Sequence, residues 1–179
     1  MINKIIEELE SLYSLKHIIR YNNLPRIKDE SVAEHSYFVA LIVARLHQYY
    51  DFNLEKALLM AIVHDIFEVH ISDVPRNVKM NYPKLKIIMD EIEDDCIRKK
   101  YPEYEDLIYD FNNKESIEAL IVKLADNLSC IQYADTEIKL GSNYYMPEVI
   151  KEATKTIKII EQQIEEYKLG HQRSPINSI

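Results

Sequence analysis

Residues 113–141, NKESIEALIVKLADNLSCIQYADTEIKLG, decide the fold. Asn113 reads as an N-cap and Gly141 as the C′ glycine, so the two bracket one long helix. Its apolar residues fall into two stripes at helical spacing. One stripe is Ile117, Leu120, Ile121, Leu124, Leu128 and Ile131; the other is Ala119, Val122, Ala125, Ser129, Cys130 and Tyr133. A helix apolar on both sides belongs at the centre of other helices. Asp126 falls within the second stripe. A carboxylate in such a place is costly unless a strong partner meets it.

Outward from this helix the pattern stays helical. Residues 2–16 carry Ile2, Ile5, Ile6, Leu9, Leu12 and Tyr13 at helical spacing, and Leu24-Pro25-Arg26 marks a loop. Ser31-Val32-Ala33-Glu34 is a capping box that starts a helix. On it His35, Phe38, Val39, Ile42 and Leu46 share one inward face. The next helix begins near Asn53, with Leu54, Ala57, Leu58, Ala61 and Asp65 on one stripe and His64 beside it. It must end by Pro75. Residues 66–82 have no clean period and read as a loop with at most a short turn. Amphipathic helices follow over about 84–100, stopped by Pro102, and over 103–111. A last one opens at Pro147, runs to Tyr167 and is capped by Gly170. There is no repeat and no linker. The reading is one all-α domain over residues 1–168, a single helical bundle, with a flexible tail over 169–179.

Composition removes several function classes. The chain has 179 residues and only two glycines, Gly141 and Gly170. Glycine-rich phosphate loops need more than that, and so does a hairpin-rich β fold. The net charge of −8 leaves no basic groove for polymeric nucleic acid. Cys96 and Cys130 are isolated and read as buried reduced thiols. With no signal peptide and no run of 18 apolar residues, the expectation is a cytoplasmic protein away from the membrane.

Four groups stand out against this background: His35, His64, Asp65 and Asp126, all on inward helical faces. Each alone has a plainer reading. His35 could be a hydrogen-bonded core histidine, His64-Asp65 a pair at a helix end, and Asp126 an ion-pair partner of Lys123 or Arg98. Together they point to a shared divalent metal. Two imidazoles and two carboxylates suit Zn, Mn, Fe or Co without choosing among them, and four protein ligands leave room for water. His17, His47 and His171 carry no catalytic expectation, and no role is assigned to His70 or Ser72.

The chain resembles the HD-domain metal phosphohydrolases, and within them the short bacterial 5′-deoxynucleotidases. The resemblance rests on Arg20-Tyr21, Ser31-Val32-Ala33-Glu34-His35-Ser36, Ala61-Ile62-Val63-His64-Asp65-Ile66-Phe67-Glu68, Ser72-Asp73-Val74-Pro75, Val78-Lys79 and Val122-Lys123-Leu124-Ala125-Asp126, in the family's order. It implies an HD-domain bundle around one central divalent transition metal (Co, Mn, Zn, Fe or Ni). The implied ligands are His35, His64, Asp65 and Asp126. Glu68 corresponds to the acid/base residue, and three residues after Asp65 it would share that face of a continued helix. Asp73 corresponds to the carboxylate that accepts from a deoxyribose 3′-hydroxyl and crowds a ribose 2′-hydroxyl. Arg20 corresponds to the phosphate-contacting arginine, with Lys79 as a weaker phosphate contact. Tyr21 stands where family members often carry Trp. The implied substrate is a small deoxynucleotide, and the implied assembly is a homodimer, with apolar strips on the helices near 84–100 and 146–167. Two rivals remain open. A dNTP triphosphohydrolase would use Arg26 and Lys28 for a longer phosphate chain. A non-catalytic nucleotide-binding module would keep the fold without the chemistry.

Overall fold

The computed structural model describes residues 2–172. The path is α1 (Ile2–Tyr13), a 3₁₀ turn over Ser14–His17, then α2 (Val32–Leu46), α3 (Leu54–Val63), α4 (Glu68–Ile71), α5 (Arg76–Asn81) and α6 (Pro83–Lys100). A second 3₁₀ turn, Pro102–Tyr104, leads to α7 (Glu105–Asn113), α8 (Ile117–Leu140) and α9 (Met146–Gln172). No strand occurs among the described residues, only one isolated antiparallel bridge between Ile19 and Ser31. The all-α expectation holds.

α8 is the central helix. It packs against α9 on one side and against α2, α3 and α7 on the others. The main core joins Val39 and Val43 of α2, Met60 and Ala61 of α3, Ile121 and Val122 of α8, and Ile160 and Ile164 of α9. Ile121 and Met60 are fully buried, each worth about 1.5–3 kcal/mol of transfer free energy. A smaller cluster of Val63, Ile66, Phe67, Ile97 and Ile108 lies beneath α4, α6 and α7.

Buried carboxylates tie the loops to this frame. Glu137, fully buried near the end of α8, accepts the backbone N–H groups of Ile27 at 2.6 Å and Lys28 at 2.9 Å. Glu118 accepts the N–H of Asn53 at 2.8 Å, where α3 begins. Asp110 accepts the N–H and the hydroxyl of Ser116 at 2.9 and 2.6 Å and pairs with Lys56 at 2.6 Å.

Several sequence expectations are corrected. Ser116, not Asn113, caps α8: its side chain accepts from the N–H of Ala119, while Asn113 ends α7 and Lys114 turns left-handed after it. Residues 66–82 carry α4 and α5 instead of a plain loop. Phe38 is about half exposed, while Val39 and Val43 take the inward face of α2 in the core. Cys96 and Cys130 are free thiols of intermediate exposure, not buried ones. α9 continues through Gly170 to Gln172, since one glycine costs a helix only about 1 kcal/mol. The expected flexible tail over 169–179 therefore begins inside a helix, and 173–179 lie outside the described residues, as does the side chain of His171.

Candidate metal centre

Three helices deliver the cluster. The capping box of α2 is complete: Ser31 accepts from the Glu34 N–H and the Glu34 side chain accepts from the Ser31 N–H. That fixes the first turn and points His35, fully buried, at α8. His64 closes α3 as its C-cap, and Asp126 lies midway along α8. One ligand atom from each of His35, His64 and Asp126 falls within 4.8 Å of the others, so the three could hold a metal ion. Asp65 adjoins them, its Oδ2 3.1 Å from His64 Nε2. Asp126 is met by His35, with Nε2 3.1 Å from Oδ1. It forms no ion pair with Lys123 or Arg98, and Arg98 pairs with Glu105.

The hydrogen bonds say what these rings can do. His64 Nδ1 donates to the Ala61 carbonyl at 2.9 Å. A carbonyl only accepts, so a neutral His64 presents a lone pair at Nε2. That buried atom has no hydrogen-bond partner, and what stands 3.1 Å away is a carboxylate oxygen. Two electron-rich atoms face each other, and a cation between them is what the pair fits. Burial works against charge on His64, but Asp65 outweighs it and raises the ring above its ordinary value, so without a metal a proton takes the place between Nε2 and Oδ2 that the cation would fill. Burial likewise opposes charge on Asp65 and Asp126, and the two histidines overcome it. For His35, burial and then the Arg20 guanidinium lower the ring to about 4. It is neutral at pH 7, the form in which imidazole binds metals.

Glu68 is buried and its Oε2 has no partner. α3 does not continue to it: the helix ends at Val63 and Glu68 opens α4 after a turn. The turn still brings it to the cluster. Burial, then the charges of Asp65 and Asp73, push its carboxyl well above the ordinary range, with Arg20 and Lys79 pulling the other way. Glu68 therefore holds its proton readily. Asp73 and Lys79 lie in its electrostatic neighbourhood, both half-buried.

Arg20 stands behind His35. Its Nη1 donates to Glu30 Oε2 at 2.6 Å and to His35 Nδ1 at 2.8 Å; its Nη2 reaches Cys130 Sγ at 3.4 Å. The backbone is held too, with Arg20 N–H donating to the Glu30 carbonyl at 2.9 Å. Tyr21 adopts φ +54, a strained conformation for a bulky residue. Its ring lies flat on Tyr133, 5.2 Å between centroids. Glu30, Ser129, Cys130 and Tyr133 carry no site role in the sequence reading. Arg26, which the triphosphohydrolase rival would use for a longer phosphate chain, is engaged by Asp29 at 2.6 Å and by the carbonyls of Tyr21 and Leu24. A polar cavity of about 470 Å³ lies beyond Lys123, lined also by Lys86, Glu93, Tyr109 and Asn112. None of the four clustered groups lines it.

The model of the HD domain family matches residues 12–167. A 5′-deoxynucleotidase of Erwinia tasmaniensis is 30% identical over 149 residues, which is 75% of each chain. An HD-domain phosphohydrolase of Listeria innocua superposes with a TM-score of 0.75 at 24% identity, covering 93% of this chain and 86% of its own. A cyanophage S-2L HD phosphohydrolase, bound to dA and one catalytic Zn²⁺ ion, superposes with a TM-score of 0.56 at 20% identity, covering 83% of this chain and 95% of its own. The last two likenesses concern the fold.

Proposed function

This chain belongs to the HD domain family, and from that premise we propose that it is a metal-dependent phosphohydrolase that removes the 5′-phosphate from deoxyribonucleoside monophosphates. The observation that carries the reading is the unpartnered, buried His64 Nε2 beside Asp65, within reach of His35 and Asp126. The relative from Erwinia tasmaniensis supports the reaction class. His35, His64, Asp65 and Asp126 are the metal ligands in this reading. The metal is one divalent transition ion (Co, Mn, Zn, Fe or Ni), with zinc the first to test given the cyanophage protein. Such a cation acidifies water and polarises a phosphoryl oxygen.

The chain's own residues do the rest. Arg20 donates its guanidinium fork to phosphate oxygens and balances the charge of the group in transfer. Lys79 adds a second cation. Glu68, buried and inclined to hold a proton, gives it to the leaving 5′-oxygen and regains one from the attacking water. Asp73 accepts from the 3′-hydroxyl, and Tyr21 offers its ring to the sugar or base. The Tyr21 and Asp73 segments are joined, because Asn22 Nδ2 donates to the Asp73 carbonyl at 3.1 Å.

Residues 1–168 form the HD domain in this reading. The protein acts in the cytoplasm on small nucleotides, not on nucleic-acid polymers. Among the described residues no helix is long and apolar enough to cross a membrane. It works as a homodimer, supported by the exposed Ile87, Ile88 and Ile92 of α6 and Ile159 of α9.

The experiment is product analysis after incubating zinc- or manganese-loaded protein with dAMP, AMP and dATP. Inorganic phosphate from dAMP, with little from AMP, is the expected outcome. Tripolyphosphate from dATP with dAMP untouched would make it a triphosphohydrolase. No product despite bound metal would leave a nucleotide-binding module.

A further inference from the structure

His35 is flanked on both ring nitrogens. Nε2 faces the cluster, 3.1 Å from Asp126 Oδ1. Nδ1 has Arg20 Nη1 at 2.8 Å and Ser129 Oγ at 3.2 Å. His35 is fully buried and Ser129 nearly so, so no bulk water competes for Nδ1. A guanidinium donates and never accepts. Its contact with Nδ1 exists only while Nδ1 presents a lone pair. The proton of the neutral ring then sits on Nε2 and is donated to Asp126.

That arrangement is consistent, but it is not the arrangement of a ligand. A nitrogen bearing a proton has no electron pair to give a cation. Ligation through Nε2 requires the proton at Nδ1. There the two neighbours differ. Arg20 would oppose one N–H with another, whereas a serine hydroxyl accepts as well as donates.

We propose that Ser129 is the positioning residue that holds His35 as a metal ligand, accepting its Nδ1–H when the metal binds, and that Arg20 Nη1 leaves the ring in the same step. The inference rests on the reading of His35 as a ligand. Arg20 does not depend on the ring for its place: Glu30 holds Nη1 at 2.6 Å and Cys130 Sγ lies 3.4 Å from Nη2. Ser129 follows Asp126 by three residues on α8, so one helix face supplies a ligand and the outer partner of another ligand. The Nη1–H that leaves His35 becomes a donor for the substrate's phosphate. Loading the metal and readying the phosphate-binding arginine are then one event.

The test is calorimetric titration of metal-stripped full-length protein with Zn²⁺, comparing wild type with Ser129→Ala. The variant should bind zinc about 10–100-fold more weakly, the usual effect of removing an outer partner of a ligating histidine. Nitrogen-15 histidine NMR of the zinc-loaded wild type should show the His35 proton on Nδ1 and slow to exchange. In Ser129→Ala that proton should exchange freely. Zinc affinity within about twofold of wild type, or a His35 proton found on Nε2 in the loaded wild type, would overturn the role of Ser129 and leave the metal site standing. A wild type that takes up no stoichiometric zinc would overturn both.

Discussion

His64 and Asp65 face each other across 3.1 Å, Nε2 to Oδ2, although they are neighbours in the chain. The helix ends between Val63 and His64, and the turn that follows folds the second side chain back onto the first. The Ala61 carbonyl holds the other ring nitrogen at 2.9 Å. The pair is thus fixed from behind, with the second ring nitrogen buried and without a hydrogen-bond partner. His64→Ala removes the lone pair and leaves Asp65 without its ring. Zinc stoichiometry by elemental analysis should fall from one to none, and phosphate release from dAMP should fall to background. Full turnover by metal-free His64→Ala would end the metal reading.

Glu68→Gln tests the proton on a buried carboxyl. The side chain keeps its size, so the buried place it fills stays filled. What is lost is a group that can give and take a proton beside the cluster. General acid–base catalysis contributes about 10²–10⁴-fold in such sites. kcat should fall by that order while KM for dAMP and zinc content stay close to wild type. A fall in zinc content instead would make Glu68 a support of the ligands.

Asp73→Ala tests the discrimination of the sugar. A hydrogen bond to a charged group is worth about 1.5–3 kcal/mol, which is about 10–100-fold in kcat/KM for dAMP. Activity on AMP should change less, because the variant also removes the crowding of the 2′-hydroxyl. The dAMP-to-AMP ratio should therefore narrow. An equal loss on both substrates would mean that the Asp73 carboxylate supports the loop and does not read the sugar.

What was legible in the sequence was local or periodic. The Ser31–Glu34 box, the helix start near Asn53 and the doubly apolar helix around Ile121 each declare themselves within a few residues. The errors came where two local signals competed. Asn113 and Ser116 are both good caps, and the choice fell to Asp110, which binds the N–H and hydroxyl of Ser116. Gly170 looked like a stop, yet nothing after it forces the helix to end. The surroundings of Arg20 were hidden for a different reason. Glu30 reaches it through the Ile19–Ser31 bridge, and Cys130 lies 110 residues away; no periodicity announces such meetings. Ser129 was within reach of sequence reasoning, since i+3 from Asp126 is the same helical face.

Glu137→Ala should damage the site from a distance. Its carboxylate accepts the N–H groups of Ile27 and Lys28 and pins the segment that carries Arg20 and Glu30 to α8. Two charge-assisted bonds are lost in a buried place, and a cost of about 2–4 kcal/mol follows. Thermal melting should drop accordingly. If the loop is what suffers, KM for dAMP should rise while zinc affinity changes little, because the helices that deliver His35, His64 and Asp126 are held together by the core at Val39, Met60 and Ile121.

The acid limb of stability should depend on Asp110. Burial disfavours its charge, but Lys56 at 2.6 Å and the two bonds from Ser116 prevail and hold its carboxyl below the ordinary value. A carboxyl depressed in the folded state contributes stability that is fully present above its unfolded value, about 3.9, and is lost as pH falls through the folded one. Wild-type melting temperature should fall across that interval. Asp110→Asn should melt about 2–6 °C lower at pH 7, as expected for losing one or two kcal/mol in a chain of this size, and its acid limb should be flatter. Lys56 works in the opposite sense: burial lowers it, Asp110 outweighs burial, and the ammonium ends above its usual value. Its contribution is present below the unfolded value and fades only at high pH, so it cannot produce the acid limb. Equal melting of Asp110→Asn and wild type from pH 7 to pH 3 would mean that the Ser116 cap holds the start of α8 without this carboxylate.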